Sequence, residues 1–493
     1  MLLVAGSSLS FASPSAREAI RLVEQPTANQ PLVAIRLVFQ TGSADDPKGR
    51  EGLTFLTASM LAEGSTTKRT YAEVLDAFYP MATGIQSYTD KDLIVFDGTV
   101  HRDNLDAFAE LLADQILRPK FTEEDFSRIK QDALDALTKT LRGNDDENLG
   151  KQALASTMYA NHPYEHPVLG TEAGLSACTL QDVRDAYNRS FTQDHLLIGL
   201  AGGYMPGFKE KFIQRFTTLP VAGSPRSALP DRPPTPGIQI QWIEKKALGT
   251  AISIGHPLSV TRADDDFYPL FLAASYLGEH RTFNGILMLN MRQKRGLNYG
   301  DYAYVENFIQ DGQSTFPLPN IGRRQQHFEI WIRPVAPENT GFAIRQAIYE
   351  LDRLIQDGIP ADGLDATRAF LMNYLNLWAQ DPSRRLGYAM DAHIYGKDIL
   401  AELKRRLPTM TKAEVDKAIR THLSVKALAI AVVGENNPRM RADLAKGQPT
   451  PMHYDSKDNS VELLTEDRII ERYPLPLLDK QPKILSAKHL FQK

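Results

Sequence analysis

Residues 179–202, TLQDVRDAYNRSFTQDHLLIGLAG, align without a gap on residues 411–434, TKAEVDKAIRTHLSVKALAIAVVG. Val183 meets Val415, Ala186 meets Ala418, Leu196 meets Leu428, Ile198 meets Ile430 and Gly202 meets Gly434. Each stretch opens with Thr followed three residues later by an acid, Asp182 or Glu414, the signature of a capped helix start. Each then shows helical periodicity and runs into a short apolar strand. A second pair agrees: FLTASMLAE, 55–63, matches FLAASYLGE, 271–279, at six of nine positions. Both follow a strand-like run, PLVAIRLVFQ or TAISIGHPL, and an acidic turn. One such match is within reach of chance. Two in the same order argue for an internal duplication.

Between the copies lies VAGSPRSALPDRPPTPG, 221–237, with five Pro and two Gly in seventeen residues. It can form neither a helix nor a central strand and reads as a linker. The expected organisation is a first domain at 17–220, a second at 238–436, and a Pro-rich arm at 437–493. The arm has no counterpart in the first half and is expected to lie extended over the second. Helical patterns occupy 103–117, 122–142, 340–356 and 362–380, and strand patterns 93–100 and 327–333. Hairpins and clustered helices in both halves point to an α+β class: two tandem, similar domains, each a mostly antiparallel sheet packed with helices.

Of the 493 residues 42% are hydrophobic and 24% charged, which is a globular composition with room for two or three domains. A net charge of −4 and the lack of any basic run argue against a nucleic-acid partner. No run of 18 apolar residues spans a membrane. The single cysteine, Cys178, excludes an intramolecular disulfide and a Cys-rich zinc site. The uncharged start, MLLVAGSSLSFASPSA (1–16), is apolar and then small, as in the later part of a secretory signal or in a frayed terminus; a periplasmic or secreted location is expected, with a cytoplasmic one as the alternative.

Residues 162–166, HPYEH, fit H-x-x-E-H, an inverted zinc-peptidase motif. That motif needs a helix, because only four-residue spacing on one face aims both imidazoles at one metal. Pro163 and Pro167 rule a helix out here, and YANHPYEHPVLGTE is turn chemistry. His162 and His166 are therefore expected to be solvated on a surface loop.

The run TGSADDPKGREGLTFLTASMLAEGSTTKRTYAEV, 41–74, resembles the opening of the insulinase/pitrilysin-type (inverzincin) metallopeptidases. Gly42, Ser43, Glu51, Gly52, Leu53, Met60, Leu61, Gly64 and Ser65 fall on that pattern, and the HPY…P…G loop at 162–170 is also a family feature, away from the metal. The resemblance covers about residues 20 to 435. It implies the mitochondrial-processing-peptidase-like fold, two α+β domains closing like a clam around a peptide chamber. Where the family's motif has two His ligands and a general base, this chain has Phe55, Ser59 and Ala58. The family's third ligand, a Glu, falls by spacing on Ala136. Phe cannot bind zinc, Ala cannot act as a base, and a lone Ser is a poor ligand. The chain is thus expected to hold no metal.

MRQKRGLNY, 291–299, is similar to the family's non-metal half, where an Arg and a Tyr seven residues later reach the peptide across the chamber. Arg292 and Tyr299 have that spacing, with Gly296-Leu297 as the turn and Arg295 as the competing arginine, a surface residue facing elsewhere whose replacement by Ala is expected to cost far less and to serve as the control. A cation and a phenol suit the negative charge that builds on the carbonyl oxygen in peptide hydrolysis. The resemblance then implies a subunit that supplies Arg292 and Tyr299 to a zinc-binding partner of the same family, in a heterodimer acting on peptides. A homodimer is the fallback without that partner. The competing readings are a structural, core-protein-like subunit and an autonomous zinc peptidase.

Overall fold

The duplicated segments fold alike. Thr179 accepts a hydrogen bond from the Asp182 amide and starts the helix Leu180–Ser190; Thr411 and Glu414 start Lys412–His422 in the same way. Each helix leads into a fully buried strand, Leu196–Gly202 or Leu428–Gly434. The structure is a computed structural model that describes residues 20–223, 225–226, 228–279, 285–308, 316–320, 322–435, 437–456, 458–479 and 483–493. The signal-like stretch 1–16 lies outside the described residues.

Two mixed sheets carry the architecture. The first contains β1 (Arg21–Pro26), β2 (Leu32–Phe39), β3 (Gln86–Thr89), β4 (Ile94–His101) and β5 (Leu196–Gly202), in the order β1-β5-β2-β4-β3. The second contains β6 (Ile238–Glu244), β7 (Thr250–Leu258), β8 (Asp301–Tyr304), β9 (Gln326–Val335), β10 (Leu428–Gly434) and β11 (Lys483–Ser486), in the order β11-β6-β10-β7-β9-β8. With β11 set aside, the two orders coincide strand for strand. β1–β5 and β6–β10 are parallel, and the remaining equivalent pairs are antiparallel. The protein is α+β with two similar domains.

The helices Leu105–Leu117, Thr340–Asp357 and Ala361–Trp378 match their sequence patterns. The pattern at 122–142 does not give one uniform helix: the α-helix Glu123–Asp135 passes into a π-helix, Ala136–Leu141.

One face of each sheet packs on helices of its own half. In the first, Ile35, Phe39 and Phe96 meet Phe108, Leu112 and Phe212. In the second, Ile254, Phe328 and Ile330 meet Phe271, Ile344 and Leu371. The opposite face of each is covered by the other half. Leu149, Ala153 and Leu154 of the helix Asp146–Met158 pack on Ala251, Ala431 and Val433 of the second sheet. Leu386 and Met390 of the helix Pro382–Tyr395 pack on Val38, Val95, Leu197 and Ala201 of the first. The approach is close, since a Cβ on Gly199 would lie 2.4 Å from the Met390 sulfur. The halves are interlocked by these exchanged helices.

The arm differs from the expected extended segment. It contains the helices Pro438–Ala445 and Val461–Ile470, and its strand β11 pairs in parallel with β6. Its last residues reach the first half: the Glu172 and Ala173 amides donate to the carbonyls of Phe491 and Gln492, and Arg142 Nε donates to the Leu490 carbonyl at 2.6 Å. Ser460 caps the second helix by accepting from the Leu463 amide, which lets a polar stretch fold into it.

Candidate functional site

Glu51-Gly52-Leu53 begins the helix Leu53–Glu63. Gly52 has φ +109°, and a Cβ there would meet Leu175 and the Leu169 carbonyl, so this turn requires glycine. The Asp46 carboxyl accepts the amides of Gly52 and Thr54 at 2.8 and 2.7 Å. The helix is apolar on nearly every side because it is buried on both: Ala58 and Leu61 face the first sheet's core, while Leu56 and Met60 face the core shared between the halves. Phe55 packs against that shared core, to which Ile129, Ala133 and Leu137 contribute from the helical stretch carrying half-buried Ala136. Ser59 is buried beside them. These side chains offer one hydroxyl and no imidazole or carboxylate, so they do not fit a metal. Among the described residues no group of three or more His, Cys, Asp or Glu is placed to hold one. The duplicate helix, Phe267–Gly278, has Phe271, Ala274 and Ser275 at the equivalent positions.

HPYEH is a turn, but its histidines are not solvated. His162 is 4% exposed, lies tilted against Tyr159 and edge-on to Tyr164 at ring-centre distances of 5.3 and 5.2 Å, and accepts the Tyr164 amide through Nδ1 at 3.0 Å. His166 is half-buried, and burial, then the charge of Lys91, push its imidazole down to about 3. Lys91 donates to the His166 carbonyl. The loop is held down because Pro163-Tyr164 folds it onto the β3–β4 turn, where the Tyr164 hydroxyl donates to Asp92. The far end of the loop packs against the start of the motif helix, with Gly170 directly on the Glu51 carbonyl.

Arg292 lies in the π-helix Met288–Gln293, and Gly296 (φ +63°) turns the chain toward β8. The Arg292 guanidinium sits 4.6 Å from the centre of the Tyr299 ring. Arg333 of β9 approaches the same ring at 5.8 Å. Tyr299 is therefore clamped by two cations yet 71% exposed, unlike a core tyrosine. Beneath them lies Asp301, fully buried, with Oδ1 accepting from Asn298 at 2.7 Å and Oδ2 without a hydrogen-bond partner. Burial pushes this carboxyl up to about 8 against the hydrogen bond from Asn298 and the charge of Arg292, so it is largely neutral at pH 7. Arg295 is not a surface arginine. Its side chain is buried and bonds Asp467 and Glu466 of the arm, each at 2.8 Å.

Arg333 connects the pair to a cleft of about 520 Å3 between the halves. One wall is β9, whose HFEIWIR sequence alternates: Phe328, Ile330 and Ile332 enter the second core, while His327, Glu329, Trp331 and Arg333 line the cleft. The facing wall is the exchanged helix Asp146–Met158. Its Lys151 ammonium lies 3.6 Å from the Trp331 ring centre, and its Glu147 pairs with Arg333 at 3.2 Å. Burial lowers the Lys151 pKa, opposed by the charges of Glu329, Glu147 and Asp145. At the floor, Arg323 pairs with Asp90 of the β3–β4 turn. The strand pattern at 327–333 contained the alternation that marks this wall. Nothing local to Asp90 or Lys151 says which element faces them.

Residues 21–172, which include the motif helix and the HPYEH loop, match the family described as Insulinase (Peptidase family M16). The chain carries an M16 domain. The crystal structure of a "peptidase M16 inactive domain" from Pseudomonas fluorescens superposes with a TM-score of 0.74 at 20% identity, over 85% of this chain and 96% of that one. A Helicobacter pylori protease structure gives 0.71 at 14% identity, over 84% and 96%. The M16-like fold thus extends over both halves. Among curated relatives, an "uncharacterized zinc protease" of Bacillus subtilis is 21% identical over 60% of this chain and 70% of its own length. A Helicobacter pylori protein named a "non-peptidase homolog" is 21% identical over 82% and 89%. Among the described residues no helix is long and apolar enough to cross a membrane.

Proposed function

We propose that this M16 chain is the subunit without metal in a two-chain zinc peptidase, and that it presents Arg292 and Tyr299 to a peptide held at the partner's zinc. The observation that carries this reading is the exposed Tyr299 ring between the guanidiniums of Arg292 and Arg333, at the rim of a cleft, in a chain whose motif helix offers only Phe55, Ala58 and Ser59. A structural role has no need for a phenol held in water by two cations. Hydrolysis of a peptide bond builds negative charge on the former carbonyl oxygen. A guanidinium and a phenol fixed before the reaction stabilise that charge without reorganising. Neutral Asp301 leaves the Arg292 charge uncancelled. The first sixteen residues support export, with the periplasm as the proposed location.

The test is coexpression with an M16 chain that has an intact H-x-x-E-H helix, followed by cleavage of an unstructured peptide. The chain alone is inert and the complex active. Tyr299→Phe lowers kcat on the order of 10²-fold with KM little changed, and zinc content and partner binding are retained. Full kcat in that variant, or a loss that follows dissociation of the complex, sinks the reading. A structural role is the second reading, favoured by the name of the Helicobacter relative.

A further inference from the structure

We infer, on the basis of the reading of Tyr299 above, that Asn298 and Arg333 are positioning residues for that tyrosine, and that Glu147 makes the pose of its ring depend on how the first half is seated. Neither Asn298 nor Arg333 is asked to touch a peptide. Both fix where the phenol points before one arrives.

The first set of contacts holds the backbone. Tyr299 stands between two residues that are both tied to Arg333. The Arg333 amide donates to the Gly300 carbonyl at 3.1 Å, which carries the β8–β9 ladder one step beyond the pairing of Asp301 with Ile332. Asn298 Nδ2 donates to the Arg333 carbonyl at 2.9 Å and to Asp301 Oδ1 at 2.7 Å, while Asn298 Oδ1 accepts the Gly300 amide at 3.1 Å. One side-chain amide therefore closes the turn from Asn298 to Asp301 and binds it to the neighbouring strand. Asn suits that place because its short side chain offers an acceptor and two donors on one group. With both neighbours fixed, the Tyr299 side chain is left pointing outward at 71% exposure.

The second set holds the ring. The Arg292 guanidinium lies 4.6 Å from its centre and the Arg333 guanidinium 5.8 Å. A cation over an exposed ring biases it about two- to fivefold toward that rotamer. The two guanidiniums are anchored differently. Arg292 Nη1 donates to the Met288 sulfur at 3.7 Å, within its own π-helix. Arg333 Nε and Nη2 converge on one oxygen of Glu147 at 3.3 and 3.2 Å. Glu147 lies in the first turn of the exchanged helix Asp146–Met158. A planar guanidinium held through two of its donors has its plane fixed as well as its place. The route from Glu147 through Arg333 to Tyr299 crosses from one half to the other, and any shift of the exchanged helix beyond hydrogen-bond reach breaks it. The Arg333–Glu147 pair is partly exposed, so this coupling is worth a few-fold and not orders of magnitude.

The test places a fluorotyrosine at position 299 of the full chain and follows its fluorine NMR line. Wild type gives one line, displaced from its position in denaturant. Arg333→Gln and Asn298→Ala each move it toward the denatured position, and Glu147→Gln moves it as Arg333→Gln does. Added to Arg333→Gln, Glu147→Gln has no further effect, and the exposed Lys294→Ala leaves the line in place. An unmoved line in Arg333→Gln or in Asn298→Ala overturns the inference. So does a Glu147→Gln shift that is the same with and without Arg333→Gln. The Arg333 and Glu147 variants keep the wild-type melting temperature and carry the test if Asn298→Ala fails to fold. In the complex with a zinc-bearing M16 chain, Arg333→Gln lowers kcat about threefold and Asn298→Ala about tenfold with KM held, and neither fall adds to that of Tyr299→Phe. A fall that persists in the Tyr299→Phe background overturns the inference, as does full kcat in both variants of a complex that Tyr299→Phe impairs. Moved lines with a silent Tyr299→Phe sink the catalytic role alone.

Discussion

Arg323 of the second half grips Asp90 of the first through two nitrogens, Nε at 2.8 Å and Nη2 at 2.5 Å, with both residues buried. Next to them the Asp92 carboxylate gathers Arg226, Arg324 and the Tyr164 hydroxyl. The β3–β4 turn is thus an electrostatic clasp between the halves. Asp90→Ala leaves a guanidinium in the interior without its carboxylate, and the expected loss is about 3–5 kcal/mol of unfolding free energy. Denaturant titration measures it. Asp90→Leu with Arg323→Met, which removes both charges, recovers most of that loss.

His162→Ala is expected to destabilise by about 2 kcal/mol rather than to be silent, because the ring is buried between Tyr159 and Tyr164 and takes the Tyr164 amide. Thermal melts of the two proteins decide it. A melting temperature equal to wild type would show the packing to be idle.

Arg295 cannot serve as a neutral comparison for Arg292. Arg295→Ala strands Asp467 and Glu466 of the arm without their guanidinium, and about 2–4 kcal/mol of stability is expected to go with it. Lys294, more than half exposed, is the proper comparison. Lys294→Ala is expected to stay within about 0.5 kcal/mol of wild type and to leave kcat of the complex unchanged.

Asp301 predicts a pH dependence. Its folded pKa, about 8, lies above the unfolded value of about 4, so the folded state holds the proton more tightly. The stability it contributes is full below about pH 4 and is lost as pH rises through about 8. Asp301→Asn keeps the shape and removes the titration. Its melting temperature should match wild type near pH 4 and exceed it above pH 8. In the complex, ionised Asp301 cancels the Arg292 charge, so activity should fall above about pH 8 in wild type and hold in the variant. A parallel fall in both would remove Asp301 from the explanation.

The duplication was legible because capping boxes and apolar strands are local signals: Thr179 and Thr411 announce the same unit in the same register. That Phe55, Ala58 and Ser59 suit no metal is readable from residue chemistry once the family resemblance points to their positions. Arg295 and His162 were misjudged because what buries them comes from far along the chain, Asp467 in one case and the β3–β4 turn in the other. The exchange of Asp146–Met158 and Pro382–Tyr395 left no trace in periodicity. Each has an ordinary amphipathic face, and a pattern cannot say which sheet that face meets.

That exchange bears on what holds the two halves together. A single copy of either half would leave one sheet face bare, for its covering helix sits on the other copy. Neither half is then a unit that can fold alone: each is roofed by a helix of the other. A nick within residues 221–237 should leave two fragments that travel as one particle.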